Sequence, residues 1–113
     1  MIKKLLSFFL IVTTLNPLSS QTYYQIIRGQ VIEKTTGNGL EGATIYIKNY
    51  ENICNTSSGI NGSFVIKKVP VGRHDIVTRC IGYYPTEISN IMVNSGKEVY
   101  LSIELEESIS EVE

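Results

Sequence analysis

One histidine, His74, two cysteines, Cys54 and Cys80, and two adjacent serines, Ser57 and Ser58, are the side chains here best suited to acid–base or nucleophilic chemistry. None stands in a pattern that would activate it. A nucleophile needs a neighbouring base and a third group to orient that base, and a Cys80–His74 pairing has no third group in view. The serines lack the Gly-x-Ser-x-Gly elbow that would expose a hydroxyl. A zinc site would need more Cys or His at close spacing than one imidazole and two distant thiols supply. "GNGLEG" resembles a phosphate loop only in its glycines; it lacks the Lys-Ser/Thr ending and leads into a strand-like run. The expectation is a chain without catalytic, cofactor-binding or metal-binding residues, and therefore not an enzyme.

These side chains sit in short runs that alternate between apolar and polar, separated by Gly, Asn, Ser and Pro. That is the signature of β-strands. "YQIIRGQVIEK" sets Ile27, Gly29 and Val31 on one face. "ATIYIKN" sets Ala43, Ile45 and Ile47 against Thr44, Tyr46 and Lys48. A weaker strand over 53–57 precedes Asn61-Gly62, which reads as a hairpin turn because both residues accept left-handed backbone. "SFVIKKV" follows and ends at Pro70, which cannot donate to a ladder, while Gly72 permits a sharp reversal. "RHDIVTRCI" places His74, Ile76, Thr78 and Cys80 on one face, making His74 a core or core-edge residue. A corner over 82–85, a less regular "EISNIMV" and the turn "NSGK" lead to "EVYLSIEL", whose Val99, Leu101, Ile103 and Leu105 alternate most regularly of all. About seven short strands, each with one apolar face, predict an all-β, seven-stranded Greek-key β-sandwich. Tyrosines are expected in such strands in any case.

With 113 residues, the chain has room for one ordinary domain. Residues 1–20 read as a signal peptide: Lys3 and Lys4, an apolar run over 5–15, then Pro17, Ser19 and Ser20 before Gln21. The apolar run is shorter than the roughly 20 residues that span a bilayer, and no transmembrane span is expected in the mature chain. Residues 21–105 form the domain, and 106–113 belong to an acidic C-terminal tail, "ELEESISEVE", read as solvated. Ten basic against eleven acidic residues leave no basic stripe for a nucleic acid. Export permits a Cys54–Cys80 disulfide without requiring it; small buried thiols are the default.

"GQVIEKTTGNGLEGATIYIKN", "SSGINGSFVIKKVPVG" and "CIGYYP" together closely resemble the carboxypeptidase regulatory-like domain. Gly29, Val31, Thr36, Gly37, Leu40, Gly42, Ala43, Ile45, Ile47, Asn61, Gly62, Phe64, Val69, Pro70, Gly72, Gly82 and Tyr83 fill its pattern in order. Gly59 departs from it, standing where the family usually has aspartate. The resemblance implies a prealbumin-like (transthyretin-like) sandwich that is non-catalytic despite its name. A signal peptide followed by this domain looks like the N-terminal periplasmic extension of TonB-dependent outer-membrane receptors of Bacteroidetes-type bacteria. The chain stops where the energy-coupling box, plug and barrel of such a receptor would begin. The expectation is an exported interaction module, periplasmic or outer-membrane-associated, from a truncated receptor or a free-standing copy. Its partners would be other cell-envelope proteins of the outer-membrane transport machinery. The alternative is a carbohydrate-binding sandwich with weak glycan contacts, which requires exposed aromatics on one face, with Tyr46, Tyr50 and Tyr100 as candidates.

Overall fold

The computed structural model describes residues 23–108; the expected signal peptide, its cut site and residues 109–113 of the acidic run lie outside the described residues. Seven strands are described: β1 (Tyr24–Glu33), β2 (Thr44–Ile47), β3 (Asn55–Ser57), β4 (Ser63–Pro70), β5 (Gly72–Arg79), β6 (Thr86–Val93) and β7 (Val99–Leu105). They form two sheets, ordered β4-β1-β7 and β3-β2-β5-β6. β1 runs antiparallel to β4 and parallel to β7, whereas the second sheet is antiparallel throughout. The alternating apolar residues meet between the layers. Ile27, Val31, Phe64, Ile66, Val69, Ile103 and Leu105 from one sheet face Ile45, Ile47, Ile76 and Val93 from the other.

Two strands break their alternation. Between the pairs Gln25–Val69 and Ile27–Ile66, β4 carries one residue more than β1. Lys68 takes up the surplus in left-handed backbone, φ 59°. This bulge turns both Ile66 and Val69 inward, three positions apart, where strict alternation would have buried Lys68. β6 does the same opposite Asp75: Asn90 stands at φ 62°, and its N–H donates to Asp75 Oδ1 at 3.0 Å. The irregular look of "EISNIMV" has that bulge as its cause.

The Asn61-Gly62 turn differs from expectation. Both residues adopt positive φ, 70° and 81°, yet they do not join a hairpin. β3 pairs with β2, and β4 pairs with β1 in the other sheet. The segment is a 3₁₀ turn (Ile60–Gly62) that carries the chain across the sandwich. Gly62 is needed there for close approach, since a Cβ would strike the Val31 carbonyl and the Leu40 amide. Gly59, at the head of this turn, makes no side-chain cap, in keeping with the missing aspartate. The Val-Pro-Val-Gly link is likewise a crossing between sheets, from β4 to β5.

Candidate functional site

Of the side chains with chemical potential, His74, Ser58 and Cys54 are committed to the frame, whereas Ser57 is exposed and Cys80 is half-buried. His74 is 9% exposed; its Nε2–H donates to the Pro70 carbonyl at 2.6 Å, and its ring stands edge-on to Tyr50 at a centroid distance of 5.6 Å. It pins the arch between β4 and β5, a core-edge role. Ser58 is buried: its hydroxyl donates to Leu40 O at 2.6 Å and accepts from Ala43 N at 2.8 Å. That clasp holds the loop before β2. Cys54 is fully buried, with its thiol directed at the carbonyl of Lys68 in the bulge, 3.6 Å away. Burial pushes this thiol above its ordinary value.

Both cysteines are free thiols, and strand register explains why. Cys54 lies beside Ile47, accepting the Ile47 N–H, while Cys80 follows Arg79, the partner of Thr44 at the other end of β2. Four strand residues, about 13 Å, separate those levels, beyond the ~7 Å that a disulfide spans between Cα atoms. Among the described residues, no three or more His, Cys, Asp or Glu side chains gather to hold a metal ion. No described helix is long and apolar enough to cross a membrane.

The surface that carries two hollows is the outer face of β2, β5 and β6. Alternation sends Thr44, Tyr46, Asp75, Val77, Arg79 and Glu87 outward, and register sets Tyr46 beside Val77 and Val77 beside Glu87. Val77 is only 7% exposed although it points away from the core. Tyr46 and the Lys48–Glu87 ion pair, 3.2 Å long, lie around it. Two adjoining open hollows occupy this face. One, of about 340 Å³, is lined by Gly42, Thr44, Arg79, Cys80, Ile81, Tyr83 and Pro85. The other, of about 400 Å³, runs over Tyr46, Val77, Thr86 and Glu87 beside Lys48 and Glu51. Arg79 and Pro85 border both. The arrangement suits binding: an apolar floor within a charged rim, and a guanidinium with no ion-pair partner among the described residues.

Sequence reasoning singled out Tyr46 on this face but not Val77, Arg79 or Pro85. The available signal was a valine at an outward position of β5, flanked by Asp75 and Arg79. The three candidate tyrosines do not share a face. Tyr46 lies on the outer side of the second sheet, Tyr100 beside Arg28 on the outer side of the first, and Tyr50 in the loop after β2.

Beyond β7, residues 106–108 fold back on their own domain. Glu107 bridges to Tyr83, Tyr84 N–H donates to Glu106 O, and Ser108 N–H donates to Gly82 O. The side chains of Glu106 and Glu107 stay exposed. Burial chiefly, then the charges of Glu33, Glu107 and Cys80, push the Tyr83 phenol above its ordinary value.

A sandwich of this topology, with the Gly-Tyr corner closing its end, agrees with the family match: the chain belongs to the CarboxypepD_reg-like domain family, whose model matches residues 27–113. Mouse carboxypeptidase D is 34% identical over 86 residues, which is 76% of this chain and 6% of that protein. Human carboxypeptidase D is 29% identical over the same share. The chain thus spans a small fraction of the curated relatives it matches. Among solved structures, a type II cohesin–X-dockerin complex of Acetivibrio cellulolyticus shares the fold at TM-score 0.62 and 22% identity, covering 72% of this chain and 56% of that one. A Bacteroides uniformis protein provisionally described as carbohydrate-binding does so at TM-score 0.58 and 18% identity, covering 74% and 41%.

Proposed function

We propose that this chain is a non-catalytic, exported interaction module of the cell envelope, which receives a protein partner on the outer face of β2, β5 and β6. The observation that carries the reading is the division of labour among its residues. His74, Ser58 and Cys54 are held by backbone partners inside the frame, while Val77, Tyr46 and Arg79 form a face with an apolar floor, a charged rim and two hollows. The charged start and short apolar run of residues 1–20 support export. Together with the family match, they favour kinship with the N-terminal extension of TonB-dependent receptors, in the periplasm or at the outer membrane.

A photo-crosslinking side chain at position 46, with position 67 on the outer side of β4 as control, tests this in cells. Crosslinks from position 46 alone, to an envelope protein, with residue 21 as the mature N-terminus, are expected. Equal capture from both positions, or an unprocessed chain in the cytosol, would overturn the reading. The reading frame beyond codon 113 tests the receptor kinship, which requires a plug and barrel there.

A second reading, glycan binding, is favoured by the likeness to the Bacteroides uniformis protein and by the Tyr46–Arg79 hollows. Calorimetry with a soluble sugar panel separates the two, since saturable heat lost in Tyr46→Ala belongs only to the second.

A further inference from the structure

Three of the four sheet edges carry a device against strand addition. β3 has three residues. β4 is bent by the Lys68 bulge and ends in Pro70, and β6 is broken by the Asn90 bulge. Short strands, bulges and prolines are how edges avoid pairing with foreign chains. β7 has none of these. It runs seven residues without bulge, proline or inward charge, about 23 Å of edge. Among the described residues, only β1 pairs with it, and no further hydrogen bond reaches Val99–Glu104. Its inward-facing Val99 and Leu101 stay half-exposed, whereas Ile103 and Leu105 are fully buried.

We infer that β7 is a self-association edge, at which a second copy of this chain adds its own β7 antiparallel about a two-fold axis through Ser102. The strand is complementary to itself in that register. Val99 meets Leu105 of the second copy, and Leu101 meets Ile103, so each half-exposed residue is covered by one that is already buried. On the outer row Tyr100 meets Glu104, a phenol donor opposite a carboxylate, and Ser102 meets Ser102. The register centred on Leu101 instead sets Lys97 opposite Leu105, so that one inward residue of each copy loses its apolar partner. The two three-stranded sheets thereby become one of six strands. A single strand pair buries less than a standard interface, so the dimer is weak and concentration-dependent. The outer face of the second sheet takes no part in this contact.

Sedimentation equilibrium of the full chain, from micromolar to millimolar concentration, tests the inference. Ser102 is exposed, so Ser102→Lys and Ser102→Glu leave the fold in place while setting like charges across the axis. Each should weaken dimerisation about tenfold or more, and mixing the two should restore a dimer. On the unaltered protein, amide resonances of β7 should shift with concentration while those of β3 stay fixed. A wild-type chain that stays monomeric throughout would sink the inference. So would a Ser102→Lys variant that dimerises like the wild type, or a mixture that recovers nothing.

Discussion

Thr78 is 1% exposed in β5, and its hydroxyl oxygen finds no partner among the described residues. An unpaired buried hydroxyl costs stability without return, and valine has nearly the same shape. Thr78→Val should raise stability by about 1 kcal/mol and Tm by about 4–8 °C, read by thermal denaturation. A lower Tm would show that the hydroxyl has a partner. Ser58 is the opposite case, because its hydroxyl satisfies both Leu40 O and Ala43 N. Ser58→Ala should cost about 2 kcal/mol in urea denaturation, and a loss below about 0.5 kcal/mol would remove the clasp from the account. The core-edge place of His74 was legible from its alternation with Ile76. The clasp was not, because nothing local to "NTSSG" says that Ser58 returns to Leu40, 18 positions earlier.

At the level of strands, Gly29 shows why β1 can lie between two neighbours. A Cβ there would run into the Leu101 carbonyl of β7, so the parallel pair closes only around a hydrogen. Gly29→Ala should destabilise by about 3 kcal/mol and speed hydrogen exchange in β7. Gly96→Ala, where a Cβ meets nothing within 4 Å, is the control and should leave both unchanged. Strand positions were readable wherever apolar alternation is unbroken, as from Val99 to Leu105. In β4 and β6 the left-handed residues are Lys68 and Asn90 rather than glycine, so alternation alone misplaces Lys68. The backbone of Asn61-Gly62 was also readable, because φ preference is local. Its partners were not, because the choice of sheet depends on which strand edge lies free across the sandwich. The candidate binding face shares this limit, since Val77, Arg79 and Pro85 meet only through the β2–β5–β6 register.

For the molecule as a whole, two shifted groups lower stability at alkaline pH. Cys54 and Tyr83 both hold their protons more tightly in the folded state than at their ordinary values of 9.0 and 10.0. The unfolded chain therefore ionises first. Their contribution is complete below about pH 9 and is lost as pH climbs through 9 and 10 towards the folded-state values. The urea midpoint should fall over that range, and Tyr83→Phe should flatten the part above pH 10. An unchanged slope in that variant would assign the loss to other groups.

The placement of β1 has one more outcome. Its two neighbours come from the middle and the far end of the domain: Ile27 lies against both Ile66 and Val99. As the chain emerges amino end first, the opening strand must wait, one flank bare, until the last strand is delivered. Contacts so distant in sequence make for slow, cooperative folding. Completion of the domain is then a single late event, timed by the arrival of β7 at the bare flank of β1.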